Sequence, residues 1–301
     1  MLRTTVLLVF LFPAALAAQL PKTGDVWLFD YKYTLLSRGY AYAIGAGSNI
    51  SQNAGYDNQP AFAPSGQYLL YSSDRGDGQT DIYRYDIHEA KTEVFSSQKN
   101  TSEYSPTFVP GNKYVSTVTV EKDSAQRLWL YHKETKTKEV VLPKKFGVGY
   151  HAWFDERTVF LFLLTEPFTL VMGDIKTGQV KTVADSIGRS MSAYKTNSYP
   201  TMLFTVQQSD SSFVIKAANA AGLIDPRFTP IPCLKGSQDF AIDKEGNILM
   251  AKGSKIYSWK VGKSTSWEEA MDLTFSGVKN ITRLAFDKQG KRLAVVDNKP
   301  E

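Results

Sequence analysis

The stretch QPAFAPSGQYLLYSSDRGDGQTDIYRYDIHEAKTEVF (residues 59–95) decides the fold, because it returns along the chain. It comes back as SPTFVPGNKYVSTVTVEKDSAQRLWLYHKETKTKEVV (105–141). Looser copies are HAWFDERTVFLFLLTEPFTLVMGDIKTGQVKTV (151–183), DFAIDKEGNILMAKGSKIYSWKV (239–261) and a short RLAFDKQGKRLAVVDN (283–298). A period of about 40–50 residues made of several short strands is the sequence signature of a β-propeller.

The repeats align on Pro60, Pro106, Ala152, Ser192, Phe240 and Leu284, in steps of 46, 46, 40, 48 and 44 residues. A turn follows each first strand where it can be read: Ser65-Gly66, Gly111-Asn112, Asp155-Glu156, Glu245-Gly246 and Gln289-Gly290. Gly, Asn and Asp suit the backbone of tight hairpin turns, and an apolar second strand comes next (QYLLYS, KYVSTVTV, TVFLFLL, NILMA, KRLAVV). Third strands carry bulky pairs two residues apart: Trp27/Phe29, Tyr83/Tyr85, Trp129/Tyr131, Phe213/Ile215 and Tyr257/Trp259. Each pair shares one strand face. Their recurrence in blade after blade predicts packing between neighbouring blades rather than platforms for sugars.

Residues 25–50 hold a third-type strand (DVWLFDYKY) and a fourth, whereas 281–297 hold a first and a second. Together they make one blade, which closes the ring and removes exposed sheet edges. The expected fold is therefore an all-β, six-bladed β-propeller with four-stranded blades, its ring closed by N- and C-terminal strands sharing one blade. The fifth blade, around 189–231, has the vaguest turn (KTNSYP), and AANAAGLIDPRFTPIP reads as a long outer strand or loop.

Ahead of the repeats, Met1-Leu2-Arg3 gives a positive start and Thr4 to Ala18 an uncharged, largely apolar run. Ala15-Leu16-Ala17 fits a small-x-small cleavage pattern, so residues 1–18 read as a secretory signal peptide and 19–301 as a single propeller domain. No cysteine stands at the cleavage point to carry a lipid, and FLFLLTEPFTLVM is broken by Glu166 and Pro167. The expectation is a periplasmic or secreted monomer without a transmembrane segment in its mature chain. The formal charge is +5, with basic residues scattered among acidic ones, which argues against nucleic acid. The single cysteine, Cys233, excludes an intramolecular disulfide and reads as buried and inert.

The run PAFAPSG…YSSDRGDGQTDIYRYDI resembles the WD40-like repeat of TolB-type propellers: Pro-x-aromatic-Ser-Pro-Asp-Gly, a strand ending Ser-x-Asp-Arg, then Asp-Ile-Tyr. LPKTGDVWLFDYK, GYDNQPAFAPSGQ, SEYSPTFVPG, GYHAWFDE and ITRLAFDKQGKRLAVV extend the resemblance, to short exported bacterial propellers of the TolB-like type, over nearly all of the mature sequence. Ser65 and Asn112 replace the Asp of the turn. Only about 40 residues of expected mature chain precede the first complete blade, so the N-terminal α/β domain of TolB has no counterpart, and whatever TolB does through it does not carry over. Propellers of the prolyl-oligopeptidase class are similar too, but carry a hydrolase domain for which this chain has no room. The resemblance implies an exported propeller and leaves its ligand open.

No GxSxG, HExxH, phosphate-loop or CxxC motif is present. Asp74, Asp77 and Asp81 in DRGDGQTD invite a calcium reading, but lack a terminal bidentate Glu and read as turn and strand capping. His88 and His132 fall after third strands, at the outer edge. His151 instead lies one residue before a first-strand start, in a column with Gln59, Ser105, Met191, Asp239 and Arg283. The preceding column holds Asn58, Tyr104, Tyr150, Ser190, Gln238 and Thr282, and the one before that Asp57, Glu103 and Arg189. First strands line a propeller's channel, so these columns should rim one mouth, where loops bind ligands.

The expected site comprises Asp57, Asn58, Glu103, Tyr104, Tyr150, His151, Arg189, Asp239 and Arg283, with no catalytic set, metal or cofactor assigned. The rim suits an envelope protein, a peptide or a glycan. The primary reading is a non-enzymatic binding or scaffold propeller of the bacterial cell envelope. The alternative is a small-molecule or glycan-processing enzyme of the lactonase or lyase type, with a metal-assisted site in the channel.

Overall fold

The computed structural model describes residues 23–36, 39–195 and 200–299. The expected signal peptide lies outside the described residues, as does most of the KTNSYP turn. No described helix is long and apolar enough to cross a membrane.

Among the described residues, twenty-four strands form six antiparallel four-stranded sheets. Blade I joins the chain ends: β1 (Gly24–Leu36) and β2 (Gly39–Asn49) with β23 (Ile281–Phe286) and β24 (Arg292–Asn298), in the order β2-β1-β24-β23. Blade II is β3 (Asp57–Phe62), β4 (Tyr68–Asp74), β5 (Thr80–Asp86) and β6 (Lys91–Ser96). Blade III is β7 (Ser102–Phe108), β8 (Tyr114–Val120), β9 (Gln126–His132) and β10 (Lys138–Val141). Blade IV is β11 (Val148–Trp153), β12 (Thr158–Leu163), β13 (Thr169–Asp174) and β14 (Val180–Asp185). Blade V is β15 (Ile187–Lys195), β16 (Pro200–Ser209), β17 (Ser212–Ala218) and β18 (Ile231–Pro232). Blade VI is β19 (Phe240–Ile242), β20 (Ile248–Lys252), β21 (Lys255–Trp259) and β22 (Glu268–Asp272). In blade V most of AANAAGLIDPRFTPIP is loop, and the outer strand shrinks to two residues.

Hydrophobic clusters fill the seams between blades. Leu128 and Leu130 of blade III meet Val159 and Leu161 of blade IV. Leu249 and Ile256 of blade VI meet Phe29, Leu293 and Val295 of blade I. Val26 and Val296 of blade I meet Leu69 and Tyr71 of blade II. Blade I thus packs on both neighbours, and the ring is closed. The second strands supply most of this core, since residues 69–73 and 159–163 are buried without a break. A strand covered on both faces tends to an unbroken apolar run, as at 159–163, while 69–73 ends on the buried Ser72 and Ser73.

The bulky third-strand pairs divide. Phe29, Ile215 and Trp259 are buried, and Tyr83 and Tyr85 pack partly against the seam between blades I and II. Tyr131 meets the expectation, its ring 5.0 Å from that of Phe95 in blade II, but Trp129 departs from it. Leu128 and Leu130, on the other face of β9, enter the core instead. Trp129 is half-buried and donates from Nε1 to Glu121 Oε1 at 2.8 Å. Leu130→Ala is therefore expected to cost roughly 2–4 kcal/mol and Trp129→Ala only about 1 kcal/mol, which denaturant midpoints will check.

The DRGDGQTD loop is a capped turn. Asp74 Oδ1 accepts from the amides of Gly76 and Gly78, and Asp77 Oδ1 from that of Gln79. Cys233 is half-buried, and burial pushes its thiol up to about 12, away from thiolate reactivity.

Candidate binding site at the channel mouth

First strands surround the channel, and all but β19 share an irregularity. Register shifts fall between Asn58/Ala61, Tyr104/Thr107, Val148/Tyr150, Ile187/Met191 and Ile281/Arg283. Gln59 and Ser105 sit in these bulges with φ of 58° and 52°, in the left-handed region. A bulge adds a residue to one strand and re-aims the side chains around it. In blades II and III the bulged residues Gln59 and Ser105 themselves face inward. All six residues of the His151 column (Gln59, Ser105, His151, Met191, Asp239 and Arg283) line a channel cavity of about 190 Å³. Tyr150 and Arg189 line it as well.

Hydrogen bonds between blades stitch the wall. Gln59 Oε1 accepts from Ser72 Oγ of its own blade at 2.9 Å and from the Ser105 amide of blade III at 2.8 Å. Gln238 Oε1 accepts from the Arg189 amide at 3.0 Å, and Ser190 Oγ from the Phe240 amide at 3.1 Å.

Charge concentrates on one side. Asp239 takes Arg189 Nε at 3.1 and 3.0 Å, together with Arg189 Nη2, and Arg283 Nη1 lies at 3.5 Å. Burial would raise the Asp239 pKa, but Arg283 and Arg189 outweigh it and hold the carboxyl below the usual range. Burial likewise opposes the charge on Arg189, yet Asp239 keeps it firmly protonated. From blade I, Arg283 reaches across the channel to blade IV, its guanidinium 4.8 Å from the Tyr150 ring centroid.

His151 is buried, and burial alone pushes it down to about 3, so it is neutral at physiological pH. Its Nε2 is 2.6 Å from Ser116 Oγ, which also accepts from Trp153 Nε1 at 2.8 Å and lies 3.2 Å from the Thr107 carbonyl. The tautomer protonated on Nε2 satisfies all three contacts: His151 and Trp153 donate to Ser116, and Ser116 donates to Thr107. Nδ1 is then a buried lone pair without a partner. Ser105 Oγ and Arg283 Nε are also buried and unpartnered.

Four expected site residues are not among those lining the cavity. Asp57 is fully buried against Ser73 and Ser51 at the seam with blade I, where Gly24 bridges to Tyr56. Asn58 Oδ1 accepts from the Gln59 amide at 2.7 Å. Glu103 pairs with Lys138 at 2.9 Å. Tyr104 packs edge-on to Tyr56 at 6.2 Å and against the core between blades III and IV. In a strand, one residue earlier means the opposite face, so these columns divide according to where each bulge falls.

Neither Asp57 oxygen has a well-formed hydrogen bond, and burial raises its pKa to about 6, with Ser73, Arg75 and Ser51 offsetting only part of that. A carboxyl raised in the folded state binds more protons folded than unfolded, so stability falls as pH rises between about 4 and 6. Asp57→Asn should therefore stabilise the protein at pH 7 by roughly 1–3 kcal/mol, an advantage that vanishes near pH 4. Denaturant midpoints at both pH values decide this; a variant less stable than wild type at pH 7 would contradict it.

A second cavity of about 310 Å³ continues the first outward, sharing Arg189 and Asp239 and adding Lys235, Ser237, Gln238, Lys252, Asn280 and Thr282. On the same face, beside Tyr150, the exposed Phe146, Leu164 and Phe168 stand in loops of blade IV, and the Leu164 amide donates to the Gly147 carbonyl at 2.7 Å. Among the described residues no three His, Cys, Asp or Glu side chains are grouped closely enough to hold a metal ion.

No protein-family model matches the sequence, and no curated protein matches it. Solved structures do match, and TolB-type β-propellers are among those that share the fold. A putative TolB from Agrobacterium tumefaciens superposes with a TM-score of 0.67 at 12% identity, over 93% of this chain and 99% of that one. TolB from Acinetobacter baumannii gives 0.58 at 12% identity over 92% of this chain, which spans 65% of that protein. The SapL1 lectin, solved with α-methyl fucoside, gives 0.53 at 13% identity, over 84% and 96%. At such identities the likeness is one of fold.

Proposed function

We propose that this chain is a non-enzymatic binding propeller of the bacterial cell envelope that engages a segment of a partner protein at the channel mouth. In this reading residues 1–18 export it and 19–301 act as one monomeric domain. The observation that carries the reading is the conjunction on one face of a polar channel with unpartnered hydrogen-bonding atoms and an exposed apolar cluster, Phe146, Leu164 and Phe168. A peptide segment offers both kinds of group; polar contacts fix its orientation and the apolar cluster supplies burial.

A glycan fits less well at the channel itself, because sugars stack on open aromatic faces and the tyrosines around it are taken. Arg283 covers Tyr150, and Tyr104 meets Tyr56. The metal-assisted alternative would have to use Asp239, the one acidic residue lining the channel cavity, which two guanidiniums already occupy.

The test is cross-linking capture from the native cell envelope with wild-type protein and with a Leu164→Ser/Phe168→Ser double variant. Both residues are substantially exposed, so folding should be unaffected. One recurring partner captured by the wild type and lost about tenfold in the variant is expected. Equal capture by both proteins would contradict the reading.

A further inference from the structure

We infer that the channel recognises a carboxylate, and that the segment it takes is an acidic peptide; this rests on the peptide-binding reading above. Three observations on independent elements converge. The first is charge: of the residues lining the channel cavity, Arg189 and Arg283 are cationic and Asp239 alone is anionic, so one positive charge is left over. With 16% of the Arg283 side chain exposed, little water is available to replace a counter-charge. A monoanion balances this excess, whereas a phosphate dianion would overshoot it.

The second is hydrogen-bonding demand. Arg283 Nε–H and the Ser105 hydroxyl are buried donors without acceptors, contributed by blades I and III. A carboxylate has two oxygens that accept. His151 Nδ1, from blade IV, is an unpartnered acceptor for a neighbouring N–H, which a peptide amide next to the carboxylate provides. His151 is more than nine-tenths buried, and its ring is locked by the Ser116–Trp153–Thr107 network. The acceptor is therefore pre-positioned.

The third is the approach. The outer cavity adds the exposed Lys235 and Lys252 around Arg189 and contributes no acid beyond the shared Asp239. Carboxylates flanking the inserted one would meet these lysines, which also steer an acidic segment toward the mouth.

Calorimetric titration of the chain from residue 19 tests this with four probes: acetyl-Glu-Glu-Glu, acetyl-Gln-Gln-Gln-amide, digalacturonate and sodium acetate. The acidic tripeptide should bind about tenfold or more tighter than the neutral one, with affinity falling as salt is added. Arg283→Gln should abolish the preference, and Lys252→Gln, on the open mouth, should weaken acidic binding by about threefold. Equal affinity for the two tripeptides overturns the carboxylate inference while leaving peptide binding intact. Digalacturonate binding more tightly than either tripeptide assigns the channel to an acidic glycan and overturns the peptide; acetate binding as tightly as the tripeptide reduces the site to a small-anion site and overturns it too. If neither tripeptide binds, the peptide reading itself fails. Should Arg283→Gln not fold, the Nε–H resonance of Arg283 in the wild type takes its place. A shift with the acidic tripeptide and none with the neutral one supports the inference, and no shift with either overturns it.

Discussion

Deleting residues 281–301 should leave no folded monomer. The deletion removes β23 and β24, and with them Leu293, Ala294, Val295 and Val296, all fully buried. Burial of a large apolar side chain is worth roughly 1.5–3 kcal/mol, so the direct loss for Leu293, Val295 and Val296 is about 5–9 kcal/mol, comparable with the total stability of a typical domain. The register of β1 against β24 runs unbroken from Gly24↔Asn298 to Asp30↔Arg292, and its loss exposes a long edge ready to pair with another chain. Size-exclusion chromatography with light scattering should find aggregates. A monomer with wild-type melting would show that blade I does not close the ring.

Asp239→Asn should be the most damaging single substitution in the channel. It leaves the Arg189 and Arg283 guanidiniums facing each other without the carboxylate between them. Breaking a buried pair commonly costs about 3–5 kcal/mol; Arg189 is 30% exposed, so roughly 2–4 kcal/mol is expected. The dependence on pH has a definite sign. The Asp239 carboxyl is held below its unfolded value. Its contribution is thus complete above about pH 4 and fades as pH falls further, through the folded value. The gap in denaturant midpoint between wild type and variant should be widest near pH 7 and shrink toward pH 3. A gap that is constant with pH would mean that the ion pair is not its source.

The sequence carried the architecture because each level of it repeats. Turn residues such as Ser65-Gly66 and Gln289-Gly290 recur at a fixed offset from apolar second strands, and the split strands at 25–50 and 281–297 complement one another. The His151 column was legible for the same reason: a position fixed relative to each turn lies at a fixed height in the channel. The adjoining columns were not, because their orientation depends on bulges that leave no compositional mark. Asp57 and Glu103 look like rim residues by spacing, yet the bulges turn them into the walls. Nor does the sequence give the partners of a side chain. The roles of Gln59 and Gln238 as ties between blades, and of Ser116 and Trp153 behind His151, appear only when strands distant along the chain come together. Trp129 shows the complementary failure, since size suggested burial but the alternation of β9 gives the core face to Leu128 and Leu130.

The central claim is that one face, the channel mouth, meets the partner. It is tested most directly by placing a photoreactive phenylalanine analogue either at Lys252, on the mouth, or at Lys136, which lines a cavity with the first-strand turn Gly111-Asn112 and so lies on the opposite face. Both side chains are exposed, so either replacement should leave the fold intact. After irradiation in the native envelope, the partner should cross-link from position 252 and not from position 136. Cross-links to the same partner from 136 alone, or equally from both positions, would contradict the account.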